Sequence, residues 1–213
     1  MSPRPFVKNL TFQSNDLGKE VTIMLAWSPN VEGLYEDVFP IVWKVSKFGK
    51  SGPYRATATY TAQLAFARAQ VESGKVISAA TSVNINNSEK TILTEANDVY
   101  HFSTPQAGTA GILQAQNHTG SIQEIAVGFV NKGDFMPTPV LYFSDVGDGS
   151  RVTAKFTPVL RAYITSDYEE TSILRGQVDT PAIWSQDLTG LAQNTTWNLS
   201  RDANTGRYTI THA

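Results

Sequence analysis

Hydrophobic and polar residues alternate over a long stretch between Tyr54 and Val71. The apolar members at every second position are Tyr54, Ala56, Ala58, Tyr60, Ala62, Leu64 and Phe66. A helix would mix these apolar residues with the polar residues between them on every face, so a period of two predicts an extended strand. Beyond Phe66 the apolar residues fall on the opposite parity. We therefore expect a bulge or bend near Ala65–Ala67, where the strand leaves one sheet and joins another.

Shorter strand-like runs fill the rest of the chain. Glu20–Trp27 is almost unbroken in its apolar character and is expected to be buried on both faces at its end, whereas Ile41–Phe48 alternates. Turn residues recur at intervals of roughly 8–12 positions, and no helical pattern of about 10–15 residues lies between them. The pattern predicts one all-β domain over residues 1–213, with 1–5 as a flexible arm. We expect a two-sheet sandwich or flattened barrel of about twelve or more antiparallel strands.

Composition narrows the functional classes. The 213 residues carry a net charge of −2, and lysine and arginine form no basic stripe, so we expect no nucleic-acid partner. No run approaches the roughly 20 apolar residues of a membrane helix, so no integral membrane protein is expected. The chain has no cysteine and its first residues lack the apolar core of a signal peptide. These features favour a cytoplasmic protein without disulfide or thiolate chemistry.

Catalytic signatures are missing from the sequence. It contains no G-x-S-x-G or H-E-x-x-H motif, no phosphate loop and no dinucleotide fingerprint. The three histidines, His101, His118 and His212, lie far apart in the sequence. We therefore expect a protein that is not an enzyme.

The loop Asp145–Ser150 is the best candidate for a metal site. Asp145 and Asp148 offer carboxylates beside two glycines and a serine, and hard oxygen donors suit Mg²⁺ or Ca²⁺. The loop lacks the EF-hand spacing and its closing glutamate. The alternative is a hairpin turn whose aspartates cap their own backbone.

Candidate ligand-binding residues come from the strand pattern. Several polar or aromatic residues alternate with small or apolar neighbours, and when such a residue points inward its polar group needs a partner. An enclosed ligand would supply the partner, and so would an ordinary internal hydrogen bond. With Trp43 included, the candidate set is Trp43, Tyr60, Arg68, His101, Arg161 and Tyr163.

The opening MSPRPF, the Thr/Asn-rich strands and the ending TWNLSRDANTGRYTITHA carry a resemblance. The chain resembles the cysteine-free all-β proteins that accumulate in mushroom fruiting bodies, which include lectins, pore-forming toxins and a pink chromoprotein of oyster mushrooms. In size and composition it is most similar to the chromoprotein. That resemblance implies a β protein that holds a small organic chromophore non-covalently, together with a divalent ion. It assigns no role to any residue of this chain.

The leading hypothesis is a non-catalytic small-molecule-binding protein, in particular a pigment-binding chromoprotein. One alternative is a lectin-like protein in which an exposed Trp184 or Trp197 stacks on a sugar. Another is a β-pore-forming toxin that turns the apolar side of Tyr54–Phe66 toward lipid. A homodimer is a further hypothesis, because edge strands invite pairing with a second chain and a small net charge resists association only weakly.

Overall fold

The computed structural model describes residues 6–28 and 33–213, with the backbone alone at 77–80; the predicted arm at 1–5 lies outside these ranges. Within them the protein has strands and no helix, which confirms the all-β prediction. The strands are β1 (Val7–Asn15), β2 (Val21–Trp27), β3 (Val38–Pro40), β4 (Val42–Phe48), β5 (Pro53–Thr61), β6 (Leu64–Glu72), β7 (Lys75–Ile85), β8 (Glu89–Ala96), β9 (Val99–Phe102), β10 (Gln106–Ala107), β11 (Leu113–His118), β12 (Gln123–Phe129), β13 (Thr138–Val146), β14 (Arg151–Ala154), β15 (Val159–Ile164), β16 (Trp184–Asp187), β17 (Asn194–Arg201) and β18 (Tyr208–His212).

Backbone hydrogen bonds divide these strands among four sheets. Sheet I has the order β18-β17-β1-β5, and sheet II has the order β16-β15-β2-β4. Sheet III has the order β3-β13-β12-β6-β7, and sheet IV has the order β10-β8-β11-β14 with β9 attached to β8. Most neighbours are antiparallel, but β1 pairs with β17 and β8 pairs with β11 in parallel. The arrangement is sandwich-like or barrel-like, with four hydrogen-bonded sheets where we expected two.

The alternating stretch from Tyr54 to Val71 does change sheets. Its first half is β5, which pairs with β1 in sheet I, and its second half is β6, which lies between β7 and β12 in sheet III. The corner is at Ala62–Gln63, before the expected bulge at Ala65–Ala67. Two hydrogen bonds hold the corner: Ala62 N donates to Phe6 O at 3.0 Å, and Val130 N donates to Gln63 O at 2.9 Å. The change of parity beyond Phe66 has another cause, because β6 is buried on both faces.

The main core receives side chains from all four sheets. Leu10 of sheet I, Ile23 of sheet II, Phe66 of sheet III and Leu113 of sheet IV are almost completely buried and belong to one continuous cluster. Burial of each such side chain stabilises the fold by about 1.5–3 kcal/mol. The shared interior is therefore the feature that joins the four sheets.

Two smaller clusters cover the outer faces of sheets II and III. Ile173 packs on Ile41 and Tyr142 of the sheet III side, and the next residue, Leu174, packs on Met24 and its neighbours on sheet II. Backbone hydrogen bonds fix the position of this irregular segment; in one of them Leu174 N donates to Pro40 O at 2.9 Å. The end of β2 is consequently buried on both faces, as its unbroken apolar run predicts.

Candidate functional site

Two residues of the predicted ligand set, Trp43 and Tyr60, meet in the interior. Each ring centroid lies 5.0 Å from that of Trp27, and Phe129 and Phe156 complete the cluster at 4.9 and 5.4 Å from Trp27. Burial raises the pKa of the Tyr60 hydroxyl well above its usual value, so this group stays neutral. The rings of the cluster pack against one another, so Trp43 and Tyr60 contribute to the core.

Arg68 does not join this cluster. Its guanidinium lies 3.9 Å from the centroid of the Tyr100 ring, and its Nε donates to Gln123 Oε1 at 2.7 Å. These are the ordinary internal partners that the sequence allowed as an alternative to a ligand. A cation–π contact of this kind accounts for a half-buried arginine on the inner side of β6.

The other three residues of the set lie elsewhere. His101 and Arg161 are exposed, so the expectation that they point inward is wrong. Tyr163 packs on the outer face of sheet II with Met24. Alternation separates the two faces of a strand, but the layers packed on the sheet decide which face is inside. In β15 the inward residues are Leu160 and Ala162, which leaves Arg161 in solvent.

The exposed-tryptophan version of the lectin hypothesis is also wrong. Trp184 and Trp197 are only 8% and 6% exposed, and their ring centroids are 5.0 Å apart. Phe12 makes an edge contact with Trp184 at 5.5 Å. Both indoles fill the core beneath sheet I, although Ser185 and Gln186 follow Trp184 and both neighbours of Trp197 in the sequence are polar.

The predicted metal loop is organised by a buried asparagine. Asn117 Nδ2 donates to Val146 O at 2.8 Å, and Gly149 N donates to Asn117 O at 2.7 Å. Asp148 Oδ1 accepts a hydrogen bond from Gly120 N at 2.9 Å, so this carboxylate caps a backbone group. Asp145 lies at the edge of a groove, and the described part of the chain holds no cluster of three or more metal-binding side chains. The loop is thus held by protein contacts, but Asp148 caps the backbone of the β11–β12 loop and not its own, as the alternative hairpin had expected.

A more suitable site lies beside Tyr54, where residues of sheets I and II line an open groove of about 710 Å³. We call it the Tyr54 groove, because the Tyr54 ring lies against Gly49 in its lining. It lies between the ends of β2, β4, β15 and β18, and its polar and charged residues are Lys19, Glu20, Thr22, Lys47, Thr165, Ser166, Asp167, Thr180 and Tyr208. A second groove of about 760 Å³ lies on the outer face of sheet I, where its polar side chains include Gln13, Arg55, Asn198, Ser200 and Thr211.

Tyr54 is the exposed aromatic residue of this groove. It belongs to the inward row of β5, but it lies at the start of the strand beyond the core, and 43% of its surface is exposed. A Cβ at Gly49 would lie 2.2 Å from the phenol end of the ring. The missing side chain at Gly49 therefore lets the ring lie directly against the main chain of the β4–β5 loop.

A second aromatic ring borders the Tyr54 groove, and a chain of amides lies on the opposite face of sheet I. Tyr208 is half-buried, and the Arg201 guanidinium lies 5.9 Å from its ring centroid. Across β5, β1 and β17, Arg55 Nη2 donates to Gln13 Oε1 at 3.2 Å, and Gln13 Nε2 donates to Asn198 Oδ1 at 2.9 Å. The strand register places these three side chains on one face, with Gln13 between Arg55 and Asn198.

The Tyr54 groove was not predicted from the sequence. Tyr54 and Arg55 were recognised only as members of a strand, because the groove depends on loops more than 100 residues away. The exposed start of β5 could have been found from the turn Gly49–Pro53, which precedes it. Lys8 was also missed: it is in phase with Leu10 and Phe12, is buried, and donates from Nζ to Leu191 O.

Comparisons with known proteins do not identify the chain: no family model, curated protein or solved structure matches it. In the ranges that the structure describes, no helix is long and apolar enough to span a membrane.

Proposed function

We propose that this protein is a non-catalytic carbohydrate-binding protein whose ligand occupies the Tyr54 groove. The observation that carries the proposal is the exposed Tyr54 ring, which lies against Gly49 in an open groove lined with hydroxyl groups and charged side chains. A tyrosine offers an apolar face for the C–H groups of a sugar ring and a hydroxyl for its polar edge. Hydroxyls can both donate to and accept from sugar hydroxyls, ammonium groups donate to them, and carboxylates accept from them.

The openness and polarity of the site support a saccharide over an apolar pigment. A largely enclosed, mostly apolar pocket with a few polar groups suits a small pigment. The two interior candidates, Trp43 and Tyr60, pack against other rings, and His101 and Arg161 lie in solvent. Pigment binding and pore formation remain predictions that no contact described above favours.

The test is a glycan panel followed by titration of the full chain with each glycan that binds. We expect a defined subset of glycans to bind, and Tyr54→Ala to weaken binding at least about fivefold, because the ring face that a sugar would cover is apolar area removed from water, at about 25 cal/mol per Å². The control is Phe135→Ala, which removes an aromatic ring that is 98% exposed on the β12–β13 loop. It should leave affinity unchanged.

Two results would overturn the proposal. One is a panel on which no glycan binds. The other is a Tyr54→Ala variant that binds as tightly as the unchanged chain. A visible absorption band in protein taken from its source, retained by Tyr54→Ala, would instead favour the pigment hypothesis.

A further inference from the structure

Two tyrosines line the Tyr54 groove, and they come from opposite edges of sheet I. Tyr54 lies at the start of β5 and Tyr208 at the start of β18, which are the two edge strands of that sheet. Tyr54 is in phase with the core residue Tyr60, and Tyr208 is in phase with the core residue Ile210. Because side chains alternate between the faces of a strand, both rings belong to the inner face of sheet I. One wall of the groove therefore carries two separate aromatic rings.

The groove is long in the direction across the strands. On the sheet II wall, Phe48 at the end of β4 pairs with Val21 at the start of β2, and Thr165 directly follows β15. On the sheet I wall, β1 and β17 lie between the strands of the two tyrosines, so three strand spacings of about 4.7–4.9 Å separate their main chains by about 14 Å. A single sugar ring that covers the face of Tyr54 does not extend to Tyr208.

Both rings are held in position by the protein itself. Tyr54 lies against Gly49, and the Arg201 guanidinium lies 5.9 Å from the ring centroid of Tyr208. Gly206 leaves room for this arginine, because a Cβ at that position would lie 3.2 Å from Arg201 Nη2. Side chains that are already fixed lose less conformational freedom when a ligand binds.

The charged residues of the lining balance one another. Lys19 and Lys47 supply two positive charges, and Glu20 and Asp167 supply two negative charges. Within the described ranges, none of these four side chains forms an ion pair with another residue of the chain. Ammonium groups donate to hydroxyls and carboxylates accept from them. A balanced lining of this kind favours a neutral ligand with many hydroxyls over a charged one.

We propose that the Tyr54 groove binds a neutral, extended oligosaccharide, with one sugar unit on Tyr54 and another on Tyr208. The inference rests on the proposed carbohydrate-binding function and adds the class and the minimum length of the saccharide. Because both rings lie on the same wall, they contact the same side of the sugar chain. In the extended chains of cellulose and chitin, successive units turn opposite faces to one side. The two contacted units are therefore not neighbours, and the shortest chain that makes both contacts is a trisaccharide.

The test uses cello-oligosaccharides and chito-oligosaccharides, from the disaccharide to the hexasaccharide, titrated into the full chain. In one of the two series or in both, affinity should rise at least about fivefold between the disaccharide and the tetrasaccharide and then level off, because the second ring removes further apolar sugar surface from water. Without that ring, in Tyr208→Ala, the gain with length should fall below about twofold, and disaccharide affinity should stay within about twofold of the unchanged chain. Tyr208→Phe keeps the aromatic ring and should keep the gain.

The matched control is Tyr100→Ala. Tyr100 is also half-buried and also lies beneath an arginine, Arg68, but it belongs to β9 of sheet IV and is not part of the groove lining. This variant should keep the gain with length. Three results would overturn the inference: an affinity that does not depend on length, a gain that survives in Tyr208→Ala, or a gain that is lost equally in Tyr100→Ala.

The same titrations separate this inference from the proposed function. If the disaccharide and the longer chains bind equally and Tyr54→Ala weakens both, the inference about length fails and carbohydrate binding stands. If neither series binds, the inference also fails. The glycan panel then shows whether a different saccharide binds or whether the proposed function fails as well.

Discussion

Gly49 offers a direct way to move Tyr54 without removing its chemistry. In Gly49→Ala the new methyl group would overlap the phenol end of the ring, which must swing away from the main chain. Because the ring is partly exposed and can move, we expect a change in unfolding free energy within about 1 kcal/mol. Affinity for a bound glycan should fall about as much as in Tyr54→Ala.

The matched control for this substitution is Gly176→Ala, where a Cβ meets no atom within 4 Å and the backbone is not left-handed. Glycan titration and thermal unfolding would be measured on both variants. If Gly49→Ala keeps full affinity, the position of the ring against Gly49 does not matter for binding.

Asn117 is expected to matter for stability. The residue is fully buried, its Nδ2 donates to Ser121 O and Val146 O, and its Oδ1 accepts from the N–H and hydroxyl of Thr119. Asn117→Ala leaves these partners unsatisfied at a buried position and should lower the free energy of unfolding by about 2–4 kcal/mol.

Urea unfolding of Asn117→Ala would measure this loss. The neighbouring exposed residue provides the control, because His118→Ala should stay within about 0.5 kcal/mol of the unchanged chain. A loss below about 1 kcal/mol in Asn117→Ala would show that the two loops hold together without the asparagine.

At the level of the strands, the pairing of β12 with β13 depends on one glycine. The register of this pair shifts between Val127 and Gly128, and a Cβ on Gly128 would lie 2.3 Å from the backbone oxygen of Thr138. A main-chain atom cannot rotate away as the Tyr54 ring can. Gly128→Ala should therefore cost at least about 3 kcal/mol, which the midpoint of chemical denaturation would show.

The comparison with Gly49→Ala controls for the chemistry, since both variants add one methyl group. Similar denaturation midpoints for Gly128→Ala and Gly49→Ala would contradict the assignment of a rigid clash at Gly128.

The alternation of apolar and polar residues predicted the positions of the strands well but predicted poorly which strands pair with each other. The Tyr54–Val71 stretch was correctly expected to change sheets, but the corner is at Ala62–Gln63. The change of parity that suggested a later bend arises because small residues let β6 bury both faces. The parallel pairing of β1 with β17 joins residues about 185 positions apart. Register over such a separation depends on the packing of whole sheets, which local periodicity does not encode.

The candidate site was less predictable than the fold for the same reason. Trp43 and Tyr60 were correctly assigned inward, because both lie in strongly apolar rows. His101 and Arg161 have the same alternation, but their strands turn those residues to solvent. Tyr54 continues the row of Tyr60, and only its place at the end of the sheet makes it a surface residue.

For the whole molecule, the shared core of four sheets places all four tryptophans in the interior. Trp27, Trp43, Trp184 and Trp197 are each less than a tenth exposed. Acrylamide should therefore quench the fluorescence of the native chain several-fold less than that of the urea-unfolded chain, because the quencher must reach the indole rings. A saccharide in the Tyr54 groove should leave this protection in place.

The unfolded chain is the internal reference for the quenching experiment, and single Trp→Phe variants assign the signal. A guest molecule seated among the aromatic rings would contact Trp27 and Trp43, so adding it should change their emission in the native chain. Quenching of Trp184 or Trp197 at the rate of the unfolded chain would place an indole on the surface. That result would return the sugar-stacking role to the tryptophans, and Tyr54 would no longer be needed to account for carbohydrate binding.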